Sequence, residues 1–177
     1  MKNIFKDNRG MAFIYTLLCF MVFMLFISVA VDIGHVLMAK IKAKHALNLA
    51  LRAAANEIDL NRLADPVNPV LYIKEPEARA KFDQILQKNL KLNAGFNPDT
   101  GSIAKDRVIV EAFQVFNTVP NQFTYGSYTE NINDVCVSAV IKVPIKLSGF
   151  AKVSADIPED FDLYVQATVK PQLIPQT

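Results

Sequence analysis

The sequence has little of the residues that build covalent or metal-centred chemistry. Of its 177 residues two are cysteine, two are histidine and none is tryptophan. Two cysteines exclude a small scaffold held together by many disulfides. His35 and His45 lie ten residues apart on one predicted helix, too far apart to share a metal ion, so we expect no metal site.

Motifs for catalysis and for cofactor binding are also lacking. The chain has no glycine-rich phosphate loop, no Gly-x-Ser-x-Gly, no His-Glu-x-x-His and no Asp-rich calcium loop. Glu159, Asp160 and Asp162 lie in a predicted turn, where solvated charge is the ordinary interpretation. We therefore expect no enzymatic activity, no cofactor and no small-molecule substrate.

An excess of charge of one sign is lacking as well. The sequence has 19 Lys and Arg against 17 Asp and Glu, which gives a formal net charge of +2. Domains that bind nucleic acid are usually strongly basic, so we expect no nucleic-acid partner. With 51% hydrophobic residues the chain is too apolar to be disordered.

What the chain does have is one long uncharged run. Residues 11–31 contain no Asp, Glu, Lys, Arg, His, Asn or Gln. At about 1.5 Å per helical residue the run extends roughly 31 Å, the thickness of a bilayer core. A cleaved secretory signal is the alternative, but its apolar region would be only about 7–15 residues long. We predict a single membrane span, with membrane lipid as its surroundings.

Basic residues flank this run equally. Three precede it, at positions 2, 6 and 9, and three follow it, at positions 40, 42 and 44. Charge counting by the positive-inside rule therefore does not settle the orientation. The N-terminal charges lie closer to the run, and long C-terminal domains translocate largely regardless of charge. We expect residues 1–10 to be a short cytoplasmic leader in the cytoplasmic membrane, with the C-terminal domain outside.

The helix is predicted to continue beyond the membrane as a stalk over residues 32–58. This stretch has no proline, and its apolar residues recur mostly at steps of three and four. They are Leu37, Ile41, Leu47, Leu51, Ala54 and Ile58. Such a face needs a partner surface, which is either the chain's own domain or other copies of it. A cluster of alanines at 50 and 53–55 allows close packing but is also ordinary helix composition.

Residues 59–177 predict a small external α+β domain. A second helix is indicated at 75–92 by a proline and two acids at its start and two lysines at its end. Strands are indicated at 107–116, 135–147 and 161–169, the last two by strict alternation. Alternation is typical of an antiparallel sheet with one covered face and one wet face. We expect the second helix to pack on a three- to four-stranded antiparallel sheet.

Two features of this domain leave alternatives open. The polar segment 117–134 is predicted to be a loop that carries Phe123, Tyr125 and Tyr128. Either these aromatics form a contact surface, or they fold back on the sheet. Cys136 lies in a predicted strand, far from Cys19 in the span, so it is either buried or paired between chains.

Three short motifs mark the first 58 residues: Asn8-Arg9-Gly10 before the span, Asp32-x-Gly34 after it, and the alanine-rich run at 46–55. With these motifs the arrangement resembles that of type IV pilin-like proteins. More narrowly, the first 58 residues resemble the TadE/TadG-like proteins of tight-adherence (Flp-type) pilus assembly. The strand residues Val143–Phe150 and the final strand ending at Ala167 also look similar.

The resemblance implies a membrane-anchored, pseudopilin-like subunit of a pilus or of a pilus-like secretion apparatus. Its expected partners are other pilin-like subunits or further copies of itself. Its assembly face would comprise Tyr15, Asp32, Gly34, Leu37, Ile41, Leu47 and Leu51. The alternative is a membrane-anchored binding or sensory module that uses the segment 117–134.

One departure from the family concerns processing. The resemblance makes the bond between Gly10 and Met11 the candidate cleavage site. Five residues after the glycine, where prepilin-like members have Glu, this chain has Tyr15. That difference favours an accessory role over that of a major fibre subunit. The residues leave open whether the leader is removed and whether the protein enters a fibre.

Overall fold

The longest element is helix α1, Asn8–Ala55, in a computed structural model that describes residues 8–146 and 160–172. The chain divides into two compact units. Unit 1 comprises Met1–Leu37 with Leu147–Glu159, and unit 2 comprises Met38–Lys146 with Asp160–Thr177. Most of the predicted leader, residues 147–150 of the family-like strand segment, and Glu159 lie outside the described residues.

Within unit 1 the described residues are helical, and their apolar side chains are open. Phe13 is 70% exposed and Phe26 is 71% exposed. No residue in the most apolar 18-residue stretch of the helix is buried. The hydroxyl of Thr16 donates to the carbonyl of Ala12 at 2.9 Å, so it has a partner inside the helix. This helix is long and apolar enough to cross a membrane.

Unit 2 has an α+β fold, which confirms the predicted class. Two further helices are α2, Leu60–Leu63, and α3, Glu75–Leu90. The strands are β1 (Ile109–Phe116), β2 (Asn121–Tyr125), β3 (Tyr128–Ile132), β4 (Cys136–Lys146) and β5 (Asp160–Val169). The described strands form an antiparallel three-stranded sheet, in the order β1-β4-β5, and a separate two-stranded hairpin of β2 and β3.

Helix α3 begins at the predicted residue and ends two residues before the predicted end at 92. Pro76 stands in the first turn, where its missing N–H costs nothing, and acidic side chains in that turn suit the positive end of the helix. Lys91 ends the helix in the left-handed conformation, with φ of 54°. The ring of Phe82 lies 4.9 Å from that of Phe113 in β1, which places α3 against one face of the sheet.

Both faces of β4 are buried along most of its length, whereas one wet face was expected. The residues on the face shared with Phe113 include Val137, Ala139 and Ile141, and all are closed to solvent. On the opposite face Cys136, Ser138 and Val140 are buried too. The reason is the hairpin, which covers this second face and supplies apolar side chains of its own. The resulting cluster comprises Phe116, Phe123, Ile132, Cys136 and Val140.

The second half of α1 belongs to the core of unit 2. Its buried residues recur on one side of the helix, and none of them is more than 3% exposed. They are Ala39, Ala43, Ala46, Leu47, Ala50, Leu51, Ala54 and Ala55. Six of these eight are alanines, whose small side chains let a helix backbone approach its neighbours closely. Of the two partner surfaces left open by the sequence, the chain's own domain is therefore the one that covers the buried side of α1 over residues 39–55.

A side-chain clamp ties the chain before α3 to the end of β1. Asn117 accepts a hydrogen bond from the N–H of Ile73 at 2.8 Å and donates one to its carbonyl at 3.0 Å. Ile73 is fully buried and also pairs with Ile58, just after α1. The amide of Asn117 thus satisfies both main-chain polar groups of a buried residue, which no neighbouring strand does.

Candidate assembly surfaces

The predicted assembly face of α1 is divided by the fold. Leu37 and Ile41 are 55% and 66% exposed, so each is open to a partner. Leu47 and Leu51 lie on the same stripe but are 0% exposed, because unit 2 packs around them. This corrects the expected face: Leu47 and Leu51 are core residues, and a charge placed there would disrupt the domain rather than an assembly.

The remaining predicted residues of this helix lie in unit 1. Tyr15 is 63% exposed and Met11 46% exposed. Gly10 and Gly34 have open space where a side chain would be, since nothing lies within 4 Å of an added Cβ. Asp32 differs from them, because it is only 8% exposed. Apart from Asp32, these predicted residues are thus open both within the predicted span and at its two edges.

The predicted loop 117–134 contains the hairpin of β2 and β3. Phe123 is 2% exposed and packs edge to face with Phe116, with ring centroids 6.2 Å apart. Tyr125 and Tyr128 are half-buried and pack against the same cluster. Of the two alternatives, folding back on the sheet therefore holds for Phe123, whose side chain is not accessible to a partner.

The sequence contained a signal for this hairpin that the prediction missed. Gly126 and Ser127 separate the two strands, and a Gly-Ser pair between alternating residues is a hairpin turn signal. Gly126 has φ of +58°, a conformation that glycine adopts without strain. Polar residues at alternate positions and Pro120 gave the segment the composition of a loop.

A carboxylate holds the hairpin to the sheet. The hydroxyls of Tyr128 and Thr168 both donate to Oε2 of Glu130, at 2.9 and 2.6 Å. Behind Thr168 lies the hydroxyl of the buried Ser138, at 2.9 Å. The hydrogen bond to Glu130 is the main reason that the pKa of Tyr128 is raised, and burial and the negative charge add to it. None of these residues was singled out from the sequence for this role.

Two further titratable groups on this side are perturbed in the direction of lower reactivity. Burial raises the pKa of the Cys136 thiol, and its hydrogen bond with Ser138 opposes that effect. Partial burial, then the negative charge of Glu111, raises the pKa of Tyr125. Cys136 is free and buried, which fits the first of the two alternatives for it. A shielded, protonated thiol has the character of a packing residue rather than of a nucleophile.

The described residues offer no arrangement for metal binding. No group of three or more His, Cys, Asp or Glu side chains is placed to hold an ion in residues 8–146 and 160–172. His35 lies in unit 1 and His45 in unit 2, both on α1. What the geometry provides is surface for contact: an exposed apolar helix and a domain whose central strand is buried on both faces.

Comparison with known protein families bears directly on this helix. Residues 10–57 match the model of a family described as putative Flp pilus-assembly TadE/G-like. The match confirms the resemblance over α1 and covers a little more than a quarter of the chain. Neither a curated protein nor a solved structure matches. The similarity to this family thus rests on the helix, and the rest of unit 2 stands on its own structure.

Proposed function

We propose that the chain is a single-pass, membrane-anchored structural subunit of a Flp-type pilus-assembly apparatus. The observation that carries the proposal is the coincidence of two findings on one element. The TadE/G-like match spans residues 10–57, and this stretch is also the helix that is apolar enough to cross a membrane.

The proposal includes an orientation and a role for the exposed helix residues. Residues 1–10 lie in the cytoplasm, and the domain lies outside the cytoplasmic membrane. Leu37 and Ile41 are large apolar residues that unit 2 leaves more than half exposed. Their burial against other pilin-like subunits would remove this surface from water, at about 25 cal/mol per Å². No chemical step is required of any side chain.

The alternative, a binding module that uses the segment 117–134, is supported less well. Phe123 is buried, and the hydroxyl of Tyr128 is engaged by Glu130. The aromatics that would have formed the contact surface are thus largely used inside the domain. Only Tyr125 and the polar side chains of the hairpin remain for a ligand.

The function is tested by deletion and complementation in the native host. Loss of the chain should abolish surface pili, and the unaltered chain should restore them. Leu37→Glu should accumulate as a folded protein yet fail to restore pili, because it places a charge on the exposed apolar face. Gln84→Glu adds the same charge at an exposed position of α3 and should complement fully. Normal piliation in the deletion strain would refute the proposal.

Topology and processing are measured separately. In a Cys19→Ser background, Asn68→Cys places a thiol in an exposed segment of unit 2. A membrane-impermeant maleimide should label it in spheroplasts with an intact inner membrane. Labelling only after that membrane is broken would reverse the orientation. Intact mass then distinguishes loss of the first ten residues, cleaved after Gly10, from a permanent anchor that retains Met1.

A further inference from the structure

Unit 2 has a groove that shares only Ile41 with the exposed helix residues proposed for subunit packing. It encloses about 400 Å³ between α1, the end of α3 and the turn that follows. Ala46 and Leu90 form its buried floor, and Ile103 is half-buried beside them. An apolar groove of this size accommodates side chains of a partner rather than a single water or ion.

The rim of this groove is basic. Lys42 and His45 lie on α1, and Lys91 is the residue that ends α3. No Asp or Glu is among the described residues that line the groove. The exposed Ile41 extends its apolar floor outward. The occupant that this chemistry favours therefore combines apolar side chains with carboxylates.

The opposite end of the α1–α3 pair has the complementary chemistry. The main-chain bridge between Ile58 and Ile73 brings the end of α1 next to the start of α3, and the N–H of Lys74 donates to the carbonyl of Glu57 at 2.9 Å. Acidic residues gather there at 57, 59, 65, 75 and 77, and Asp59 is paired with Arg62 at 3.5 Å, which leaves the segment 57–67 net acidic. Among them two apolar side chains are open to solvent, Leu60 at 69% and Val67 at 90% exposed.

Ordinary helix electrostatics explains only part of this polarity. Acids at the start of α3 and lysines at its end are what the helix dipole favours within one chain. The dipole gives no reason for Leu60, Val67 and Ile41 to be exposed beside those charges. Apolar side chains at both the acidic end and the basic groove are explained if the two surfaces meet.

A single copy cannot bring its own two surfaces together. Ile41 lines the groove, and Ala55 ends α1 beside the acidic segment. These residues are about 21 Å apart along one continuous helix, at 1.5 Å per residue. The acidic segment that fits the groove must therefore come from another chain.

We propose that the groove binds the acidic segment 57–67 of a second copy of this chain, head to tail. Leu60 and Val67 of one copy enter the groove of the next, and Glu57 and Asp65 face its basic rim. The two contacting surfaces differ, so the interface is heterologous and each copy keeps one free end. This inference rests on the proposed assembly role and specifies the contact through which copies associate.

The contact is tested by crosslinking the full chain in detergent micelles, with Cys19→Ser in every variant. One population carries Asn89→Cys at the groove and the other carries Val67→Cys, with tags of different mass. A short bismaleimide should give mixed dimers of the two populations. Dimers from two Asn89→Cys chains, or from two Val67→Cys chains, should be at least tenfold fewer. Equal yields from like pairs, or no crosslink, would overturn the proposal.

Charge reversal separates docking from random collision. Lys42→Glu with Lys91→Glu should lower the yield of mixed dimers at least tenfold. Glu57→Lys with Asp65→Lys in the partner population should restore it. Lys81→Glu, at an exposed lysine of α3 that does not line the groove, should change nothing. Protection of Cys136 from labelling checks that each variant is folded. Failure of the swap to restore crosslinking would refute the pairing of these surfaces.

A membrane surface is the competing occupant for a basic groove. If crosslinking is absent and binding to phosphatidylglycerol vesicles depends on Lys42 and Lys91, the groove is a lipid site and the proposal is wrong. The host experiment stays independent of this outcome. Crosslinking without a piliation defect in the deletion strain would refute the assembly role alone, and a piliation defect without crosslinking would refute the head-to-tail contact alone.

Discussion

Replacement of Leu51 by alanine tests whether the second half of α1 is core or free surface. Leu51 is 0% exposed, and the other buried residues around it on α1 are mostly alanines. A Leu→Ala change in a core costs about 2–5 kcal/mol, with the larger values where the site cannot collapse. Alanine side chains have no alternative rotamers with which to fill a cavity, so we expect about 3 kcal/mol or more.

Leu37→Ala is the matched control on the same helix. Leu37 is 55% exposed in unit 1, so its truncation should change the free energy of unfolding by no more than about 0.5 kcal/mol. A loss of 3 kcal/mol corresponds to a roughly 150-fold rise in the ratio of unfolded to folded chains. The two substitutions remove the same atoms and are therefore distinguished by their surroundings alone.

The assay is urea unfolding of the full chain in micelles, followed by tyrosine fluorescence since the chain has no tryptophan. Labelling of Cys136 in a Cys19→Ser background gives a second readout, because this thiol is buried in the folded domain. Leu51→Ala should lower the urea midpoint and accelerate labelling, and Leu37→Ala should do neither. Equal effects at the two positions would refute the assignment of residues 39–55 to the core.

Three further outcomes follow from the contacts of unit 2. Asn117→Ala should cost about 2–4 kcal/mol by urea unfolding, since it leaves two buried main-chain groups without their partner. Glu130→Ala should cost about 1–3 kcal/mol and speed hydrogen exchange in β2 and β3 more than in α3, because two hydroxyls lose their acceptor. The raised pKa of Tyr128 means that the folded chain holds this proton more tightly than the unfolded chain. The contribution of Tyr128 to stability is therefore fully present below the ordinary pKa of 10.0 and is lost as pH rises through the raised pKa. Urea midpoints between pH 8 and pH 11 should show this fall, and Tyr128→Phe should make it shallower.

The elements with a regular pattern could be predicted from the sequence. Alternation over 135–147 predicted β4, which is observed as Cys136–Lys146. Acidic residues at the start of α3 and lysines at its end predicted that helix. The uncharged run and the good helix formers after it predicted α1 as one continuous helix. In each case the signal lies within the element, since periodicity and end charges are properties of consecutive residues.

The features that the sequence did not predict depend on contacts between segments that are distant along the chain. Leu37 and Leu51 occupy the same stripe of α1, and periodicity shows which side of a helix is apolar but not how far along it a domain extends. The burial of Ser138 depends on a hairpin that packs from the other side of the sheet. The role of Glu130 depends on Thr168, which lies 38 residues away in the sequence. Such pairs leave no trace in local composition.

The sharing of α1 between the apolar run and the core of unit 2 has a consequence for proteolytic shedding. The family match ends at residue 57, but the compact unit begins at Met38. A protease that cuts just before Met38 would release the domain with its helical wall intact. A cut after residue 57 would leave Leu47, Leu51 and the buried alanines behind in the N-terminal fragment. The released piece would then expose its core to water, so only the first cut keeps the core of unit 2 complete.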